Sequence, residues 1–346
     1  MPSRAELGRL YQELLDRYGR TIADAFLVAL NDLRTAAEIQ RLTDAIRAGN
    51  LQDALDALHL DAAAYGPLQD AIAQAYAEGG QNAAQALPKR TPEGQALVIR
   101  FHARNPRAEA WLREQGADLV THVIEDQREA VRQRLIAGME KGENPRTTAL
   151  DIVGRINRIT GKREGGILGL TAQQETFARN AADELASGDP AALRKYLDRS
   201  RRDKRFDRSI LKAIREESPV PPEIQSKAVA RYKDRLLELR GTTLGRAEAL
   251  AALQAAKLEA YTQAVEAGQL DGALIEREWD DVGDARTRHS HRLMNGQKRG
   301  LHEPFVSPSG ARLMYPGDTS LGASASETIQ CRCDVRYRVR FLAGIR

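Results

Sequence analysis

The chain has 346 residues, enough to bury a substantial core and to form two or three domains. Hydrophobic residues make up 42% and aromatics only 5%, and a formal charge of +4 is too mild to imply nucleic-acid binding unless local clusters carry it. With two cysteines the chain does not read as a secreted disulfide scaffold, and no apolar run suggests a signal peptide or a membrane span; a reducing cytoplasm is the expected setting.

Segments rich in Ala, Leu, Glu, Arg and Gln favour helix through most of the length. Residues 6–86 read as successive amphipathic helices, with Ile22, Phe26, Leu30 and Leu33 forming one stripe at three- and four-residue spacing. "LPKRTPEG" at 87–94 is a first linker. A long helix is predicted over 108–141, past Leu112, Leu119, Val123, Val131 and Leu135. Thr171 with Gln174 fits a capping box, and Asp189 with Pro190 fits an N-cap followed by proline in the first turn. "SPVPPE" at 218–223 is the strongest linker, because three prolines oppose helix. Two helices split by Gly241 are expected beyond it, the second ending at Gly268. The resulting expectation is a mainly α protein with an extended helical body and a small C-terminal α+β module, in domains 1–87, 88–218 and 219–346.

The module begins with alternation in "ALIEREW" at 273–279 and ends with "CRCDVRYRVRF" at 331–341. In the latter, Cys331, Cys333, Val335, Tyr337, Val339 and Phe341 alternate with Arg332, Asp334, Arg336, Arg338 and Arg340, which predicts a strand with both thiols on its apolar face. Three roles stand open for the cysteines: small core hydrophobes, metal ligands, or, last because the ring would be strained, a local disulfide. His289 and His291 lie about 200° apart on a helix, so only one can face inward. On the helix stripe of His291 stand Asp284, Arg288 and Asn295. A structural zinc would take His291, Cys331 and Cys333, with His289, His302 or Asp284 as the fourth ligand. The bland alternative has His291 hydrogen-bonded to Asp284 or a carbonyl.

Two basic clusters are candidate contacts for DNA or an acidic partner: "RSRRDKRFDR" at 199–208, and the arginines Arg332, Arg336, Arg338 and Arg340, whose charges are expected to add into a stripe opposed by Asp334 alone. "TGKREGG" at 160–166 fails as a phosphate loop, because Ile156 stands where the first glycine belongs.

The ordered set Trp279, "D-x-R-T-R-x-x-H" at 284–291, "M-N-G-Q" at 294–297, Phe305 with Pro308 and Gly310, "Y-P-G-D" at 315–318 and "C-R-C" at 331–333 resembles the phage head morphogenesis proteins of the Mu F-like minor capsid family. "GLTAQQ" from Gly169, "RRDKRFD" from Arg201 and "RGTTLGRAEAL" from Arg240 extend the resemblance over roughly 140–335. Where the family often has Arg-Thr-Glu, this chain has Arg246, Ala247 and Glu248. The resemblance implies a structural, non-enzymatic minor head protein that joins the portal and major capsid proteins during prohead assembly. Packaged DNA is a further candidate partner, the virion head is the implied location, and no membrane is involved. The competing class is a zinc-dependent hydrolase or nuclease built on His289, His291, Asp284 and the cysteines, with Asp280 or Asp281 as general base.

Overall fold

The computed structural model describes residues 4–341. Among them, helices run in the order α1 (Arg4–Ala36), α2 (Ile39–Arg47), α3 (Leu51–Asp56), α4 (Gly66–Ala86), α5 (Pro106–Glu140) and α6 (Pro145–Val153). A small hairpin, β1 (Arg155–Ile156) and β2 (Arg163–Glu164), precedes α7 (Ala172–Ala186), α8 (Pro190–Asp198), α9 (Asp207–Glu216) and α10 (Pro222–Glu266). The C-terminal part holds β3 (Ile275–Asp280), α11 (His289–Met294), β4 (Lys298–Arg299), β5 (Phe305–Val306), β6 (Arg312–Leu313), α12 (Ala325–Thr328) and β7 (Asp334–Val339). The expected fold class holds: helix dominates, and the strands are short, antiparallel and concentrated near the C-terminus.

Local chemistry explains the punctuation. The Thr171 side chain accepts from the Gln174 amide while Gln174 reaches back to the Thr171 amide, so the capping box forms as read. Asp189 caps α8 by accepting from Ala191 and Ala192. The proline-rich 218–221 lies between α9 and α10. One expectation is corrected: Gly241 does not divide two helices, and α10 runs unbroken for 45 residues. Its glycines serve packing. A Cβ on Gly241 would sit 3.5 Å from Leu27 and Phe26, and one on Gly245 would lie 2.7 Å from the Ala23 amide and still nearer the Gly19 carbonyl.

Two compact units result. One comprises described residues 26–67 and 117–241. There Phe26, Leu30 and Leu33 of the predicted stripe are buried, and the buried Arg34 guanidinium donates to the Gly166 and Leu168 carbonyls. Asp151 accepts from both Arg134 and Lys233, which are themselves buried. Three of the six positive charges of 199–208 are answered by acids nearby: Arg199 pairs with Glu184, Arg202 with Asp207, and Arg205 with Asp203.

The other unit comprises described residues 4–25, 68–116 and 242–341. Tyr261 of α10 stacks on Tyr337 of β7 at 4.2 Å between ring centroids, in a cluster with Leu87, Leu270, Ile275 and Leu301. Trp111 stacks on Tyr76 and donates its indole N–H to the Tyr315 hydroxyl at 3.1 Å. Part-buried Glu248 accepts from Gln115, and burial pushes its carboxyl up to about 7.

Replacing a helix-interior glycine by alanine ordinarily gains about 1 kcal/mol. Gly245→Ala should instead destabilise, because the new methyl meets backbone atoms of α1 that cannot rotate away; denaturant unfolding would show a lower midpoint. Glu248 gives a pH prediction. A carboxyl whose folded pKa exceeds its ordinary 4.5 binds its proton more tightly when folded, so its contribution is present at acid pH and lost as pH rises through 4.5 to about 7. Glu248→Gln should flatten the melting temperature over that window and raise it at pH 8.

Candidate functional site

Strand β3 occupies the centre of a three-stranded sheet ordered β4-β3-β7, and every second side chain of it is buried: Ile275, Arg277 and Trp279. Trp279 is fully covered and meets Phe305 and His291 edge-on, at 5.3 and 5.2 Å between centroids. Buried arginine on that face was not anticipated. Arg277 donates to the carbonyls of Gly300 (2.9 Å), Met314 (2.6 Å) and Glu303, which ties the loops after β4 and β6 to the strand.

His291 and His289 take opposite faces of α11, as their spacing requires: His291 is 1% exposed and His289 is exposed. Cys331 and Cys333 are free and buried, each 2% exposed. The strand predicted from 331 begins only at Asp334, so the thiols stand on the segment that leads into it. The His291 Nδ1 lies 3.4 Å from both sulfurs, and the three ligand atoms fall within 4.8 Å of one another. On the other side of the ring, Nε2 meets the Glu327 carboxylate at 2.9 Å. Glu327 also accepts from Ser290 (3.1 Å) and Ser309 (2.7 Å).

These contacts set the charges. A hydrogen bond from Cys333 holds the Cys331 thiol well below its ordinary value, aided by His291 against the cost of burial. Cys333 moves up, first through its partner and then through burial. Burial disfavours a charged His291, yet Cys331 and Glu327 outweigh it and raise the ring's pKa. Burial likewise works against a charged Glu327, but Ser309, Ser290 and His291 hold its pKa below the ordinary value.

Other expected ligands lie elsewhere. Asp284 does not share a helix face with His291, because α11 begins at His289; its side chain accepts from the Arg286 amide, a local bond that competes with helix. Arg332 then grips it with two bonds and holds it down to about 2. His302 is exposed. Among the described residues, the His, Cys, Asp and Glu group able to hold a metal comprises His291, Cys331 and Cys333. The expected arginine stripe is also corrected. In the β3–β7 register, acids of β3 face the arginines: Arg336 pairs with Asp280 and Glu278, Arg338 with Glu278 at 3.3 Å, and Arg340 with Glu276 at 2.6 Å. Asp334, meanwhile, accepts from Lys257 and Gln254. Their charges largely cancel.

The remaining motif residues bond inward as well. Asn295 accepts from the Asp281 amide at 3.1 Å, Gly296 turns with φ +77° and donates to the Trp279 carbonyl, and Gln297 exchanges two bonds with Val306. Asp318, 2% exposed, accepts from the amides of Met314 and Ser320. Glu327 was missed in the sequence, although it is the one acid between Asp318 and Asp334, four residues ahead of Cys331.

The segment 223–336 matches the family model described as phage Mu protein F like protein. No curated protein and no solved structure matches the chain. The match ends just beyond the thiols and spans every motif from Trp279 to Cys333, whereas the pieces at Gly169 and Arg201 fall outside it. Over residues 223–336, about a third of its length, the chain is similar to the phage Mu protein F like family.

Proposed function

We propose that this chain is a structural minor head protein of a tailed phage or prophage, that it joins portal and major capsid proteins during prohead assembly, and that it resides in the virion head. The observation that carries this reading is the family match, which covers a module whose motif residues form its internal bonds. Asn295, Gln297, Asp318, Glu327 and Asp284 each hold a loop or an arginine in place. A hydrolase needs an exposed reacting centre. Here the His/Cys group is 1–2% exposed, and Asp280, one suggested base, is paired with Arg336. No helix among the described residues is long and apolar enough to cross a membrane.

For partner contacts, the paired arginines of β7 offer local charge with little net field, so a contact there would rest on exchange of ion pairs. Packaged DNA, which rewards unneutralised cations, is the weaker candidate at this edge.

Co-expression with the portal and major capsid proteins of the same phage tests the proposal. The chain should sediment with proheads and drop out of them when the portal is omitted. Recovery in the soluble fraction alone, with normal proheads formed in its absence, would refute the assignment. The purified chain, incubated with duplex DNA and zinc or magnesium, should leave the DNA uncut.

A further inference from the structure

We infer that His291, Cys331 and Cys333 form a zinc site, with Glu327 as the residue that positions the histidine. The inference stands on the geometry of these side chains and holds or fails independently of where the chain assembles.

The first argument is valence. The Glu327 carboxylate can only accept, so Nε2 carries a proton whatever the charge of the ring, and a cation that displaces any proton from Nδ1 meets a lone pair there. That single lone pair faces two sulfurs at the same 3.4 Å. One hydrogen bond can satisfy it toward one sulfur only, whereas a cation bound by Nδ1 and two thiolates accounts for the symmetrical approach. Distance agrees: zinc bonds of about 2.3 Å to sulfur and about 2.0–2.1 Å to nitrogen at tetrahedral angles place these donors roughly 3.5 Å apart.

Donor chemistry narrows the metal. Two thiolates and an imidazole suit zinc, while calcium and magnesium require oxygen ligands. The surroundings fit too. A carboxylate on the far nitrogen of a ligating histidine fixes the tautomer and ring orientation, and Glu327 is itself held by Ser290 and Ser309. The buried indole N–H of Trp279 lies beside the Cys333 sulfur, and a metal-bound thiolate there would accept from it. A tetrahedral ion held by these three ligands would keep one position for water, and the burial of all three ligands would shield it from bulk solvent. It would link α11 to the segment ahead of β7, residues some 40 positions apart in sequence.

The test uses the full chain expressed in zinc-supplemented medium and purified without chelator. Elemental analysis should give about one zinc per chain, and cobalt replacement should produce the visible and near-ultraviolet bands of a tetrahedral thiolate site. Cys331→Ser and Cys333→Ser should each abolish binding. Should those variants fail to fold, the parent chain settles the matter: chelator should lower its melting temperature and open both thiols to alkylation, and added zinc should reverse both effects. Glu327→Gln should retain the one-to-one stoichiometry with affinity for zinc weakened about 10- to 100-fold. Metal-free protein that takes up no zinc on titration, and whose melting and thiol reactivity ignore both zinc and chelator, would overturn the inference and leave the thiols as packed core groups.

Discussion

A fully buried guanidinium in the middle of β3 is the constraint on which the C-terminal module depends. Arg277 gives its planar fork of donors to three carbonyls from two separate loops, so the strand and both loops become one object. Burying a cation is costly, and burial depresses its pKa even though Tyr337 and Glu303 act the other way. What offsets the cost is three charge-assisted hydrogen bonds to carbonyls. The ring of Phe305, 5.1 Å from the guanidinium, adds a cation–π contact, and Phe305 in turn packs on Trp279. Loss of Arg277 would therefore remove three bonds at once and unsettle the aromatic wall against which His291 rests.

How much of this was legible in the sequence depends on the range of the interaction. Caps are local, and Thr171, Gln174, Asp189 and Pro190 did what their spacing required. Periodicity is nearly as local, so α5, the buried stripe of α1 and the strand nature of β3 and β7 were readable. Gly241 misled because a glycine's meaning depends on what approaches it, and the approaching helix lies about 215 residues earlier in sequence. Arg277 was hidden for a related reason: an arginine on an apolar face reads as outward until loops that bring carbonyls to it are known.

The candidate site divides along the same line. His291, Cys331 and Cys333 could be grouped from residue type and from the one inward position available on α11. Glu327 required knowledge that α12 returns to the ring. The arginines of β7 failed as a stripe because their strand was read alone. Glu276, Glu278 and Asp280 alternate on β3 just as regularly, and antiparallel pairing sets one row against the other. Exposed pairs of this kind contribute little stability, about 0–1 kcal/mol each, but they fix register, since a slip by one residue would set the acids of β3 against Val335, Tyr337 and Val339 and turn Trp279 toward solvent.

The two units thus rely on different kinds of order. Residues 26–67 and 117–241 gain from helix faces, where a buried stripe tolerates exchange of one apolar side chain for another of similar size, and where the Arg134–Asp151–Lys233 triad is the exacting part. In the C-terminal module the sheet supplies strands of six, two and six residues, too few to satisfy the backbone of the long connections between them. Side chains take over that task, each with one geometry: Asp284 on the turn before α11, Asn295 and Gln297 after it, Asp318 in the next loop, and Glu327 on the histidine. A fold held by directional bonds at single positions writes itself into sequence as an ordered string of irreplaceable residues. A fold held by apolar area does not, which is why the motif residues legible in this sequence gather from Trp279 onward.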